Sequence, residues 1–384
     1  ILVTDQSHLK VFKKNKINQL SVDDFDLSDT YFIQDLPNVL PDPEDVCVIL
    51  FTSGSTGLPK AVQLTAVNFI SSARSWHQEV QFTEHDNYLL CLPVSHVGGL
   101  NIIIRALLYG FNISIAIDFN INKVNQLIYH QDISLISLVP TMMSRLLQSN
   151  NITSLFSSLR LIVIGGGPIS DKLLKICRES NLPIMVSYGM TETCSGICGW
   201  HLSAVTAEED GNYIGFPFND VKLQVDDSEI VVSGPMVMKG YIGETDCRGI
   251  HYTGDLARIS DDNKTYISGR KDNIIISGGE NVSPEEVKNI LMQIPDVNDC
   301  EVAKLPDNEW GMKIVAFIVL KNYDESRGLI KPGDQGIEIK NYCKGKLADY
   351  KIPKEVFYVN SIPRTDTGKV LKTKLMSIYN DSKH

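Results

Sequence analysis

The sequence predicts an α/β protein with a large domain of layered sheets and helices and a small α+β domain at its carboxy end. Three observations predict it. Apolar runs alternate with helix-like patterns from residue 46 to about 230, the rhythm of strands and crossover helices. A segment dense in hydroxyls and glycines, Thr52-Ser53-Gly54-Ser55-Thr56-Gly57-Leu58-Pro59-Lys60, follows the apolar run Val46–Leu50. Near Asp272 the pattern changes to a capped helix and a long apolar strand.

Residues 1–45 are mixed, with Asp23-Asp24 and Pro41-Asp42-Pro43, and read partly as linker. In the loop that follows, glycines let backbone N–H groups turn toward an anion, hydroxyls add donors and Lys60 adds charge, which makes a polyphosphate cradle. The spacing is not that of the Walker loop, because only two residues separate Gly54 from Gly57 and Lys60 is followed by Ala61. A flexible turn after a strand is the plainer alternative. Leu159–Ile164 is a strand candidate running into Gly165-Gly166-Gly167-Pro168, and Ser170–Ser180 reads as an amphipathic helix with Leu173, Leu174 and Cys177 on one face. Residues 220–268 turn to shorter β segments.

The domain boundary is placed at Asp272, giving domains 1–271 and 272–384. Beyond it, Ser283 is expected to cap a helix, with Pro284 in the first turn and Glu286 completing a capping box. Val287, Ile290, Leu291 and Ile294 are the expected buried stripe, and Val315–Leu320 an interior strand.

A chain of 384 residues accommodates two or more domains. A net charge of −10 argues against a general nucleic-acid binder. The cysteines are scattered without a Cys-x-x-Cys pair, which points to reduced thiols and a cytoplasmic setting. Cys194, Cys198 and His201 lack a fourth partner at zinc spacing. No apolar stretch is long enough for a membrane helix, so no membrane span is expected.

Further segments follow in order: Tyr188-Gly189-Met190-Thr191-Glu192-Thr193, Tyr252-Thr253-Gly254-Asp255, Gly269-Arg270-Lys271-Asp272 and Pro363-Arg364-Thr365-Asp366-Thr367-Gly368-Lys369. With the loop at 52–60 they resemble the core motifs of the adenylate-forming superfamily, over residues 45 to 375. That superfamily holds acyl- and aryl-CoA synthetases, peptide-synthetase adenylation domains and luciferases. The resemblance implies a large adenylate-forming domain and a small mobile one, with ATP, Mg²⁺ and coenzyme A as cofactor and co-substrates and a carboxylic acid as substrate. It leaves a homodimer open. It also implies an amino-terminally shortened chain, since relatives carry a further subdomain before the phosphate loop.

By resemblance, Thr52, Ser53, Gly54, Ser55, Thr56, Gly57 and Lys60 hold the β- and γ-phosphates. Gly165, Gly166 and Gly167 lie beside adenine and the acyl group. Ser187, Tyr188, Gly189 and Met190 line the nucleotide, with Tyr188 stacking on adenine. Thr191 bonds the α-phosphate and Glu192 offers a carboxylate to Mg²⁺, which needs only one or two beside substrate phosphates. Asp255 accepts the ribose hydroxyls, Arg270 contacts ribose or phosphate, and Lys369 bridges carboxylate and α-phosphate. Asp272 is the hinge, and Gly278 and Gly279 line the pantetheine tunnel. Each has a plainer counterpart: a tight turn for the glycines, a first-turn acid for Glu192, a surface charge for Lys369.

The segments Leu92–Leu100 and Ile104–Gly110, with Ser137–Thr141 and Tyr188–Ser195, look most like the o-succinylbenzoate–CoA ligases of menaquinone biosynthesis. His96 is the expected gate of the acyl pocket, and Arg105 a cation for a second carboxylate or else a structural residue. Other aryl- or medium-chain acyl-CoA ligases and a non-catalytic nucleotide-binding remnant are the alternatives. An amino-acid adenylation domain is disfavoured, because no Asp lies between His96 and Leu100. Asp246–His251 departs from the Gly-Trp/Phe of many relatives, so different packing is expected there.

Overall fold

The computed structural model describes residues 2–4, 19–21, 42–53, 59–148, 156–204, 211–307, 309–321, 334–364 and 370–381. It has two compact units, Ile1–Asp42 and Pro43–His384. In the first, β1 (Leu2–Thr4) and β2 (Gln19–Ser21) pair in parallel.

The second unit begins with an antiparallel hairpin of β3 (Val46–Ser53) and β4 (Pro59–Thr65), in which Thr52 faces Lys60. The expected strand before the phosphate loop is present, and the chain returns as a second strand. Val62 and Leu64 are fully buried, while Ile49 and Phe51 on β3 face solvent. Thr65 caps α1 (Ala66–Val80): its hydroxyl accepts the Asn68 N–H at 3.3 Å, and Asn68 Oδ1 accepts the Thr65 N–H at 2.9 Å.

The α/β alternation then appears as expected. It runs through β5 (Asn87–Leu90), α2 (Val97–Tyr109), β6 (Asn112–Ile115), α3 (Ile121–His130), β7 (Leu135–Leu138), α4 (Pro140–Leu147), β8 (Leu161–Ile164), α5 (Asp171–Glu179) and β9 (Ile184–Met190). With β10 (Ser195–His201) and β11 (Phe216–Pro217) these strands form a seven-stranded sheet ordered β11-β10-β9-β8-β7-β5-β6. The strands from β6 across to β9 pair in parallel; β10 and β11 are antiparallel. Alternate residues serve opposite faces. Leu89, Ile136, Ile162 and Ile184 enter one apolar cluster, while Tyr88, Leu135, Leu161 and Met185 enter another. Both faces are covered, as a parallel sheet requires. Ser170 caps α5 through the Leu173 N–H at 3.3 Å, and Leu173, Leu174 and Cys177 are its buried face.

The shorter β segments expected next are β12 (Lys222–Asp226), β13 (Glu229–Ser233), β14 (Gly240–Tyr241), β15 (Ile250–Ile259) and β16 (Thr265–Arg270). Four form an antiparallel sheet ordered β12-β13-β15-β16, while β14 pairs with β4 beside the hairpin.

Past Asp272 come the hairpin β17 (Ile275–Ser277) and β18 (Glu280–Val282), α6 (Pro284–Met292), β19 (Val297–Asp307), β20 (Gly311–Leu320), α7 (Asp334–Cys343), β21 (Glu355–Tyr358) and α8 (Lys372–Asp381). Val287, Leu291, Ile314 and Ile318 pack one cluster on the β19-β20-β21 sheet; Val315, Phe317, Leu375 and Tyr379 pack the other. Two local expectations change. Ser283 caps α6 through the Glu286 N–H at 3.4 Å, but the Glu286 carboxylate pairs with Lys351 at 2.7 Å, so the capping box is not closed. The ion pair outcompetes the return bond to the backbone. Ile294 falls beyond the last residue of α6 and, with Ile290, is only partly buried.

Candidate active site

The carboxy ends of β8 and β9 build the first wall, where open α/β sheets hold ligands. β8 ends at Ile164 and runs into Gly165–Gly167; the Gly165 N–H donates to the Leu138 carbonyl at 3.2 Å. β9 carries Ser187, Tyr188, Gly189 and Met190, then turns through Thr191–Thr193. A Cβ on Gly189 would stand 2.1 Å from the Ser195 carbonyl oxygen, so β9 and β10 approach too closely there for a side chain. Thr193 pins the turn: its hydroxyl accepts the Met190 N–H at 3.0 Å. The Ser187 hydroxyl is buried without a partner among the described residues.

The second wall is the Thr253-Gly254-Asp255 turn on β15. The register sets Asp255 opposite Arg270. Asp255 is buried; its Oδ2 accepts from the Tyr188 hydroxyl at 2.7 Å and its Oδ1 from Arg270 Nη1 at 3.1 Å. Burial raises the Asp255 carboxyl above its ordinary value, with Arg270 and Tyr188 opposing. Arg270 also reaches Asp272 through Nε at 3.2 Å, so one guanidinium joins the candidate ribose carboxylate to the expected hinge. Gly254 sits at φ +73°, and a Cβ there would come within 3.0 Å of Arg270 Nη2. Both conditions favour glycine. Glu229 holds the turn from β13: Oε1 accepts the Gly254 N–H at 2.9 Å and Oε2 pairs with Lys271 at 2.9 Å.

Glu192 and Lys60, far apart in sequence, meet on Tyr241. The Tyr241 hydroxyl donates to Glu192 Oε1 at 2.8 Å, and the Lys60 ammonium lies 4.5 Å from the Tyr241 ring centroid. Glu192 Oε2 has no hydrogen-bond partner among the described residues. No cluster of three His, Cys, Asp or Glu side chains forms a metal cage among them. A single carboxylate with a free oxygen fits Mg²⁺, which takes its remaining ligands from phosphates and water. His251, in the segment that departs from many relatives, is buried, and burial lowers its pKa against the pull of Glu192 and Glu229.

The residues expected on the acyl side, His96 and Arg105, lie at the start of α2 and within it. His96 is exposed at its amino end, where its carbonyl accepts the Gly99 and Leu100 N–H groups. Arg105, nine residues on, is buried. Its Nη2 donates to Ser195 Oγ at 2.8 Å and its guanidinium lies 4.3 Å from the Trp76 ring centroid. Its Nε is buried without a partner, and no carboxylate pairs with it among the described residues. Burial lowers its pKa to about 10, which still leaves it charged at neutral pH.

The structure thus brings together Lys60 with Glu192, and Tyr188 with Asp255, Arg270 and Asp272. Gly54, Ser55, Thr56 and Gly57 lie outside the described residues, as do the Ser53 side chain and Lys369. Gly278 (φ +60°) and Gly279 (φ +87°) form the two-residue turn of the β17–β18 hairpin. Tyr241 and Glu229 were not singled out by the motifs. For Tyr241 the only signal is an aromatic beside glycine in Lys239-Gly240-Tyr241; for Glu229 it is an acid opening the apolar strand Ile230-Val231-Val232.

Comparison with known proteins gives the family of the chain. The AMP-binding enzyme family matches residues 2–242, and its carboxy-terminal domain matches residues 286–369. A 2-succinylbenzoate–CoA ligase of Bacillus subtilis (strain 168) is 34% identical over 343 residues, covering 85% of this chain and 68% of that protein. One from Listeria monocytogenes serotype 4b is 34% identical over 340 residues, with coverages of 85% and 69%. The solved o-succinylbenzoate CoA synthetase of Bacillus subtilis with its acyl-adenylate intermediate superposes with a TM-score of 0.83 at 31% identity, over 97% of this chain and 77% of that one. The same enzyme with ATP and magnesium gives 0.83 at 31% identity, over 98% and 78%. ATP-bound MatB from Rhodopseudomonas palustris also gives 0.83, at 25% identity, over 100% and 79%.

Proposed function

The chain belongs to the AMP-binding enzyme family, and from that premise we propose that it is an AMP-forming acid–CoA ligase whose acid is o-succinylbenzoate. The observation that carries the ligase reading is the meeting of Lys60 and Glu192 on Tyr241, which puts a phosphate-loop cation beside a carboxylate with one free oxygen. The buried, charged Arg105, which pairs with no carboxylate among the described residues, supports an acid that brings a second carboxylate of its own.

A carboxylate is a poor acyl donor because its leaving group is oxide. In the first half-reaction a carboxylate oxygen attacks the α-phosphorus of ATP; the new O–P bond forms as the bond to the bridging oxygen breaks, and pyrophosphate leaves. In the second, the CoA thiol attacks the acyl carbonyl. A C–S bond forms, the C–O bond to phosphate breaks, AMP leaves with the electron pair, and the thiol proton passes to solvent.

Asp255 would accept the ribose hydroxyls, with Arg270 and Tyr188 keeping its carboxylate in place. Tyr188, Gly189, Met190, Ser187 and Gly165–Gly167 would flank the nucleotide, and Thr191 would bond the α-phosphate. Lys60 and the loop before it would hold the outgoing phosphates. Glu192 would hold Mg²⁺, which when bound neutralises phosphate charge. Lys369 would offset the charge growing between carboxylate and α-phosphate. His96 would border the acyl pocket. Residues 272–384 would turn about Asp272 between the two half-reactions, bringing Gly278 and Gly279 to the pantetheine arm. The setting would be cytoplasmic.

The test is product analysis by mass spectrometry after incubation with ATP, Mg²⁺, CoA and one of o-succinylbenzoate, benzoate or a medium-chain fatty acid. The expected result is o-succinylbenzoyl-CoA with AMP. A thioester from another acid alone would keep the chemistry and remove the substrate; no AMP with any acid would remove the ligase reading.

A further inference from the structure

Tyr241 lies between two groups that the proposed reaction needs, and its backbone ties it to both. Its strand pairs with β4, the strand that carries Lys60: Tyr241 faces Val62, the Ile242 N–H donates to the Ala61 carbonyl at 2.9 Å, and the Lys239 N–H donates to Gln63 at 3.0 Å. On the other side, the Met238 N–H donates to the Glu192 carbonyl at 2.8 Å. Residues 238–242 therefore span from the phosphate-loop hairpin to the turn that presents Glu192. The side chain repeats the connection, with its hydroxyl on Glu192 Oε1 and its ring against the Lys60 ammonium.

We infer that Tyr241 is a positioning residue that sets Glu192 and Lys60 in one arrangement, so that binding of a divalent cation and binding of the ATP phosphates reinforce each other. The inference rests on the proposed role of Glu192. A carboxylate on a free side chain rotates among several wells, and a hydrogen bond to one oxygen selects one of them and leaves the other oxygen open for a cation. The bond is charge-assisted, and half-burial keeps water from replacing it cheaply. The ring gives Lys60 a surface that neutralises nothing and so leaves its charge for phosphate.

The ring also packs against the apolar cluster of Val62, Leu64, Phe69, Cys194 and Met238, so a purely structural role must be separated from positioning. Tyr241→Phe keeps the ring and removes the hydroxyl; Tyr241→Leu removes both. The experiment is calorimetric titration of ATP into the full chain, in EDTA and in saturating MgCl₂, with thermal midpoints measured alongside. In the parent, Mg²⁺ is expected to tighten ATP binding. Tyr241→Phe is expected to bind ATP in EDTA as the parent does but to lose roughly tenfold of the Mg²⁺-induced tightening, the low end for a hydrogen bond to a charged group. Tyr241→Leu is expected to weaken binding in EDTA as well.

Glu192→Gln separates the inference from the reading beneath it. If Glu192→Gln loses the tightening while Tyr241→Phe keeps it in full, the inference about Tyr241 is overturned alone. If Glu192→Gln keeps the tightening, the metal role of Glu192 fails and the inference with it. Equal weakening of Tyr241→Phe with and without Mg²⁺, accompanied by a lower thermal midpoint, would make Tyr241 a packing residue and overturn the inference.

Discussion

Asp255 and Arg270 face each other across β15 and β16 and are joined from Nη1 to Oδ1 at 3.1 Å. The same guanidinium reaches Asp272 at 3.2 Å, so the candidate ribose carboxylate and the expected hinge residue share one cation.

Asp255→Asn keeps the shape and removes the charge. The KM for ATP should rise roughly tenfold or more, since a hydrogen bond to a charged group is worth about 1.5–3 kcal/mol. Initial-rate kinetics at fixed acid and CoA checks it; a KM within twofold of the parent contradicts the assignment.

The raised carboxyl of Asp255 also sets a pH dependence. The ordinary value is 3.8, and burial lifts the folded value above it. Folding then favours the protonated form, so this group's contribution to stability increases as pH falls through the folded value. With Asp255 in the proposed ribose role, nucleotide binding would need the ionised form and weaken in the same window. AMP affinity measured against pH should show an acid limb above 3.8 that is missing in Asp255→Asn.

Glu229→Ala frees the Gly254 N–H and leaves Lys271 unpaired. The loss should be about 1–3 kcal/mol of stability, with a several-fold rise in the KM for ATP because Asp255 follows directly on the loosened turn. Urea unfolding and kinetics on the same preparation measure both.

Away from the site, Arg160 grips the buried Asp86 at 2.7 Å through both Nε and Nη2. Burial pushes the Asp86 carboxyl up, but the bonds from Arg160, Thr83 and Ser134 outweigh it and hold it at about 2. Its ordinary value is 3.8, so the stability it contributes is present above that pH and lost as pH falls toward 2. Asp86→Asn should flatten that loss in urea titrations between pH 5 and pH 2 and cost about 1–3 kcal/mol at neutral pH.

Much of this was legible in the sequence because it is local. Thr253-Gly254-Asp255 and Gly269-Arg270 sit on neighbouring strands of one hairpin, so motif order places them near each other. Ser170 and Ser283 cap helices through N–H groups three residues on. What was not legible depends on pairs distant in sequence. The Tyr241–Glu192 bond spans 49 residues and the Arg105–Ser195 bond 90, and neither tyrosine nor serine advertises a partner in its own segment. Glu286 shows the limit of local rules, since the expected return bond lost to Lys351, 65 residues away.

Arg105→Met tests the acyl side. No described carboxylate loses its partner, so folding should survive with a modest cost from the Trp76 contact. The kcat/KM for o-succinylbenzoate should fall roughly tenfold or more, while a monocarboxylate turned over by the parent should be nearly unaffected. An equal fall for both acids would make Arg105 structural.

The most direct test of the central claim follows the acid's own oxygen. The chain would be incubated with ATP, Mg²⁺, CoA and o-succinylbenzoate carrying heavy oxygen in its carboxylates, and the nucleotide product weighed. Adenylation predicts one heavy oxygen in AMP, because the attacking carboxylate oxygen leaves with the phosphate when CoA takes the acyl group. AMP without the label, or ADP with labelled phosphate, would contradict it.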